Sequence, residues 1–207
     1  MAMSIFVAAN EGREQWSIEG YLTDIKQPGE FLGGHPVLGS TDEVAEFVEH
    51  GYHIHYALHF NAKHKWERVR LLQSLGIPDE AHATAIHPTA HVDPSADIGR
   101  GVAIDALVGI SINARVGNYV HMYQHAFLNH ESVLKDYVTV APQAAIGARV
   151  TADEGAHIGL NASVREDTAI GEYAIIGMAA GVLDDVDPFQ IVGGNPARKI
   201  GEVTHTI

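Results

Sequence analysis

Every sixth residue from Ile86 to Val182 is apolar. The series runs Ile86, Val92, Ile98, Ile104, Ile110, Val116, Met122, Leu128, Leu134, Val140, Ile146, Ala152, Ile158, Val164, Ile170, Ile176, Val182. Sixteen of these seventeen positions carry Ile, Leu, Val or Met. Four residues after each comes a small or β-branched residue, as at Ala90, Ala96, Val102, Ala114, Val120, Ala126, Ser132, Ala144, Ala162, Ala174 and Ala180. Glycine often follows the large aliphatic, at Gly99, Gly117, Gly147, Gly159, Gly171 and Gly177. A short period kept in phase over such a length is the mark of a solenoid, whose coils bury their apolar face against one another. Hexads predict a parallel β-helix with three short strands per coil, about eighteen residues in each. The large residue fills the prism interior and the small one sits near a corner. Chance spacing in a β-sandwich would not hold phase so long.

Residues 1–80 follow no such period and predict a small, separate α/β domain ahead of a β-helix domain over 81–207. Ser4–Ala8 and Trp16–Leu22 read as strands. Thr41 is placed to cap a helix from Asp42 to His50. Tyr52–Leu58 reads as a buried strand, and a second helix is expected from Ala62 to Ser74. In that helix Trp66, Val69, Leu71 and Leu72 are apolar, while Lys63, Lys65, Glu67, Arg68 and Arg70 read as solvated. Strands alternating with helices suggest a parallel arrangement. After Val182 the period stops, and the stretch to Ile200 reads as a loop and strand closing the last coil.

Composition narrows the function classes. Thirteen Lys and Arg against 26 Asp and Glu leave a net charge of -13, which argues against a nucleic-acid or anionic-membrane surface. The absence of cysteine excludes a disulfide framework and a thiol nucleophile. No apolar run is long enough to span a membrane, and the N-terminus lacks a signal-peptide layout, so a soluble cytoplasmic protein is expected.

The densest polar cluster is His121-Met-Tyr-Gln-His-Ala-Phe-Leu-Asn-His-Glu131. His130 and Glu131 fall at the polar turn of a hexad, so both should point outward. An imidazole oriented by a carboxylate is what a general base near neutral pH requires. Eighteen-residue arithmetic stacks His121, Thr139 and His157 in one column, lining a cleft or a solvated edge.

The hexads, the mid-prism His130-Glu131, the leading α/β segment and the terminal Gly-Asn-Pro-Ala-Arg-Lys-Ile together resemble one family, the left-handed β-helix acyltransferases. The likeness is specifically to the branch of sialic acid O-acetyltransferases and nucleotide 4-amino-sugar N-acetyltransferases. The resemblance implies a homotrimer with sites in the clefts between prisms. It also implies acetyl-CoA as donor and a sugar amine or hydroxyl as acceptor, as in surface-glycan synthesis. His130 would then be the base and Glu131 the residue that raises its basicity. Thr139, Gly159, Leu160, Gly177 and Met178 match cofactor positions along the prism, and Arg198 and Lys199 are candidates for the cofactor phosphates. Asp24 and Asn61 are candidate acceptor contacts, and His121 or His125 would bind the acceptor or polarise the thioester. The front segment departs from the pattern: Ser4–Asn10 runs into the next strand without the Gly-rich turn and helix that receive phosphate. Two other readings stand beside this one. His125 and His130, five apart, match the spacing of two zinc ligands in γ-class carbonic anhydrases, though no third histidine falls in phase. A bare scaffold is the other.

Overall fold

The computed structural model describes residues 2–10, 16–56 and 62–204. Its body is a three-sided prism of seventeen two-residue strands, β4 (Ala85–Ile86) to β20 (Gly181–Val182), each ending on a member of the hexad series. Neighbouring strands on each face pair in parallel at an eighteen-residue offset, as His121 with Thr139 and Phe127 with Ala145. The first face carries Ala85–Ile86 and every third strand after it, the second His91–Val92 and its equivalents, the third Asp97–Ile98 and its equivalents.

The core is the hexad series itself. Ile104, Ile110, Leu128, Leu134, Ile158 and Ile176 are wholly buried, and so are the small partners Ala114, Ala144 and Ala162. Both positions therefore face inward, the small one because the chain bends there and leaves no room for a larger side chain. From Gly101 to Ala179 each corner turns through one residue of positive φ, among them Leu107, His125, Glu131, Tyr137 and Arg149. Non-glycine residues resist that conformation. Here the corner amide is held by the coil before it: His125 N donates to Ala106 O at 3.2 Å and Glu131 N to Ile112 O at 3.0 Å.

The last coil is closed by a hairpin of β21 (Gln190–Gly193) and β22 (Arg198–Glu202), which extends the first face. This is the closing strand the sequence suggests.

The front segment differs from its sequence reading in several places. Ala2–Ala9 is a helix, α1, and not a strand. Ile5 and Phe6 bury against Ala83, Ala85 and Ala103 on the first face. A short apolar run can serve either element, and a helix satisfies its own backbone while lying on the prism. Of Trp16–Leu22 only β1 (Tyr21–Leu22) pairs; it lies parallel to β3 (His35–Gly39), and β2 (Phe31–Leu32) joins β3 antiparallel. The helix expected from Asp42 is present as a 3₁₀ turn, Thr41–Glu43, followed by α2 (Val44–Glu49). The Tyr52–Leu58 strand reduces to a single bridge, Ile54 to His82, and its residues 57–58 lie outside the described ones. The second helix is α3 (Lys65–Ser74), led by a 3₁₀ turn. It buries Lys65, Val69 and Leu72 and leaves Leu71 exposed. Lys65 is thus not solvated, because it lies on the stripe that meets the prism.

Helix α3 packs on a column of aromatic rings at the corner between the third and first faces. Tyr119 stacks on Tyr137 with centroids 4.7 Å apart, and Tyr173 on Phe189 at 5.6 Å. Trp66 meets Tyr173 edge-on, and Val69 lies among these rings. Two rungs of the column are glycine. At Gly155, with φ +68, a β-carbon would come within 2.3 Å of the Tyr173 ring; the glycine makes room for the tyrosine.

Candidate functional site

His130 and Glu131 occupy the corner between the second and third faces, and hexad phase puts them there. Leu128 points into the core, so the next residues round the corner must turn outward. The His130 side chain is 43% exposed and its Nδ1 lies 3.3 Å from Glu131 Oε2. The carboxylate accepts the Nδ1 hydrogen, which leaves the lone pair on Nε2, at the outer end of the ring. That is the tautomer a base needs. Arg149 stands one coil further on. Its backbone N–H donates to His130 O at 3.0 Å, and its guanidinium forms a two-pronged pair with Asp167 at 2.6 and 2.8 Å.

His125 is at the other edge of the second face, on the corner shared with the first. Gly159, Leu160, Gly177 and Met178 share that corner on later coils. Leu160 and Met178 are exposed, Met178 to 75%. Gly159 is required by packing: a β-carbon there would meet Ile176 O at 2.4 Å. Arg198 and Lys199 lie on the exposed β22, where Lys199 pairs with Glu202.

His121 and Thr139 are elsewhere. They do stack in one column, next to His157, but the column is neither a cleft nor a solvated edge. The front segment covers it. His121 is 8% exposed, with its Nε2 3.1 Å from His55 Nε2. Burial first, then the neighbouring His55 and Lys65, hold its pKa down to about 3. Thr139 accepts a hydrogen bond from Lys65 Nζ at 2.8 Å. Neither side chain offers a ligand an open surface within the chain. Both carboxylate oxygens of Asp24 are taken by Thr41, through its backbone N–H at 2.9 Å and its hydroxyl, and these bonds lower the Asp24 pKa. Asn61 lies outside the described residues. Among the described residues no three His, Cys, Asp or Glu side chains gather as a metal set.

Two basic residues under the front segment, buried Lys65 and half-buried His55, carry nothing in the sequence that sets them apart. The eighteen-residue spacing of Tyr119 and Tyr137 was a readable sign that something packs on that corner.

Known proteins share this architecture. The acetyltransferase domain of PglB from Neisseria gonorrhoeae FA1090, solved with acetyl coenzyme A, superposes with a TM-score of 0.80 over 95% of this chain and 92% of that one, at 24% identity. A histidine-to-alanine variant of GDP-perosamine N-acetyltransferase from Caulobacter crescentus, solved with CoA and GDP-perosamine, gives 0.75 over 84% and 82%, at 26% identity. The prism is left-handed, as in these proteins. The chain resembles the left-handed β-helix, hexapeptide-repeat acetyltransferases in fold and in sequence. In sequence, it is 33% identical over 138 residues to GDP-perosamine N-acetyltransferase from Escherichia coli O157:H7. That match spans 64% of this chain and 62% of the relative's length. No family model matches the sequence. Among the described residues no helix is long and apolar enough to cross a membrane.

Proposed function

We propose that the protein is an acetyl-CoA-dependent acetyltransferase acting on an amino group of a sugar carried on a nucleotide, as in its GDP-perosamine-binding relatives. The observation that carries this reading is the outward His130 with Glu131 on its Nδ1, mid-way along a hexapeptide prism. Acetyl-CoA supplies the acetyl group as a thioester. His130 Nε2 takes the proton from the acceptor nitrogen as its lone pair attacks the thioester carbonyl. The C–N bond forms, the C–S bond breaks, and the proton passes to the departing thiolate. Glu131 holds the ring in the required tautomer and favours the charge it acquires.

A trimer fits the distribution of surface. Leu107, Ile112, Phe127, Leu160 and Met178 are exposed on and beside the second face. A second copy against that face would cover them and bring a cofactor lying along one prism's corner to the His130 corner of the next. Leu160 and Met178 would then line the pantetheine, with Arg198 and Lys199 near its phosphates and His125 facing the acceptor. Asp24 and Asn61 remain candidate acceptor contacts.

Calorimetry with acetyl-CoA, paired with detection of an N-acetyl product from GDP-perosamine, tests this. Micromolar donor binding with product formation supports the reading. Zinc binding without donor binding would replace it with a metal hydration chemistry.

A further inference from the structure

Between the front segment and the first face lies a seam of basic groups, Lys65 and His121 buried and His55 half-buried. Lys65, 1% exposed, donates from Nζ to Thr139 Oγ1 at 2.8 Å and to Ala156 O at 3.3 Å. His55 contacts Ala83 O through Nδ1 at 3.0 Å and His121 Nε2 through its own Nε2 at 3.1 Å. The two imidazoles lie nearly parallel, 24° apart, with Phe6 of α1 edge-on to His55. The hydrogen placement follows from the partners. A carbonyl can only accept, so His55 Nδ1 carries a hydrogen and its Nε2 a lone pair. His121 Nε2–H must then be the donor between them. A proton added to His55 would set two N–H groups head to head.

We propose that docking of the front segment on the prism is a proton-sensitive clamp, built from Lys65, His55 and His121, that loosens as pH falls. Each group was placed by a different element: Lys65 by α3, His55 by the stretch before it, His121 by a prism strand. Other titratable groups facing the seam are His157 and Tyr123 on the prism and His82 at the turn into it. Burial lowers Lys65 from its ordinary 10.5 to about 7, lowers His121 to about 3 and lowers His55 as well. All three bases therefore bind protons more tightly undocked than docked. Docking loses strength as pH falls from 10.5 to about 7 through Lys65, and from 6.5 to about 3 through His121.

Hydrogen exchange by mass spectrometry on the full chain, corrected for intrinsic rates, tests the clamp. Protection of α3 and of residues 50–56 should fall about tenfold between pH 8 and pH 6 as Lys65 takes up its proton, while the prism strands stay protected. Lys65→Met cannot titrate and should flatten that dependence. Lys65→Arg keeps its charge and should leave the segment poorly protected at every pH. Wild-type protection that is flat between pH 8 and pH 6 overturns the proposal whatever the variants do. So does a Lys65→Met chain that keeps the wild-type slope.

Discussion

His121 and His130, nine residues apart in one histidine-rich stretch, serve opposite environments. The first is sealed against His55 at 3.1 Å, and the second stands on an open corner with Glu131 at its Nδ1. Removing His121 should therefore be a stability event. His121→Ala strips His55 Nε2 of its donor and empties a buried position on the first face. The expected loss is about 1–3 kcal/mol, the cost of an unsatisfied buried acceptor, read by denaturant unfolding. A variant as stable as wild type would mean that the pair is not buried in solution.

Gly155 carries a second structural prediction. Its φ of +68 disfavours a β-carbon and the Tyr173 ring leaves no room for one. Gly155→Ala should cost about 1–2 kcal/mol for the left-handed backbone alone, and more from displacement of Tyr173. Thermal unfolding measures it, and Gly155→Val should melt lower still.

The exposed second face predicts an assembly. Phe127→Glu places a charge on the face that carries exposed Leu107 and Ile112, where the proposed neighbouring copy would sit. Light scattering after gel filtration should find three chains for wild type and one for the variant. A monomeric wild type would remove the proposed inter-prism site.

Glu131→Gln keeps the size of the side chain and removes its charge. If Glu131 stabilises the imidazolium, turnover should drop about tenfold or more, within the range of general acid–base contributions, with little change in the KM for acetyl-CoA. An unaltered turnover would leave Glu131 a surface residue only.

Much of the prism was legible because a solenoid repeats its instruction. Each coil asks for the same aliphatic at the same phase, so the seventeen strands and the outward direction of His130 followed from counting. The column of His121, Thr139 and His157 followed from the same count, but its covering did not. What lies on an outer face depends on long-range docking, and no period encodes it. Lys65 illustrates this: lysine is almost never fully buried, so its helix position reads as solvated until α3 is seen against Thr139. Helix α1 departs from its sequence pattern for a related reason, since Ile5 and Phe6 suit a strand as well as a helix until the first face supplies a floor.

The most direct test of the central claim is the steady-state turnover of His130→Ala with acetyl-CoA and GDP-perosamine, beside a check that the variant unfolds like wild type. A fall of at least about a hundredfold, the contribution expected of a general base, is the predicted result. Turnover equal to wild type in a folded variant would contradict it.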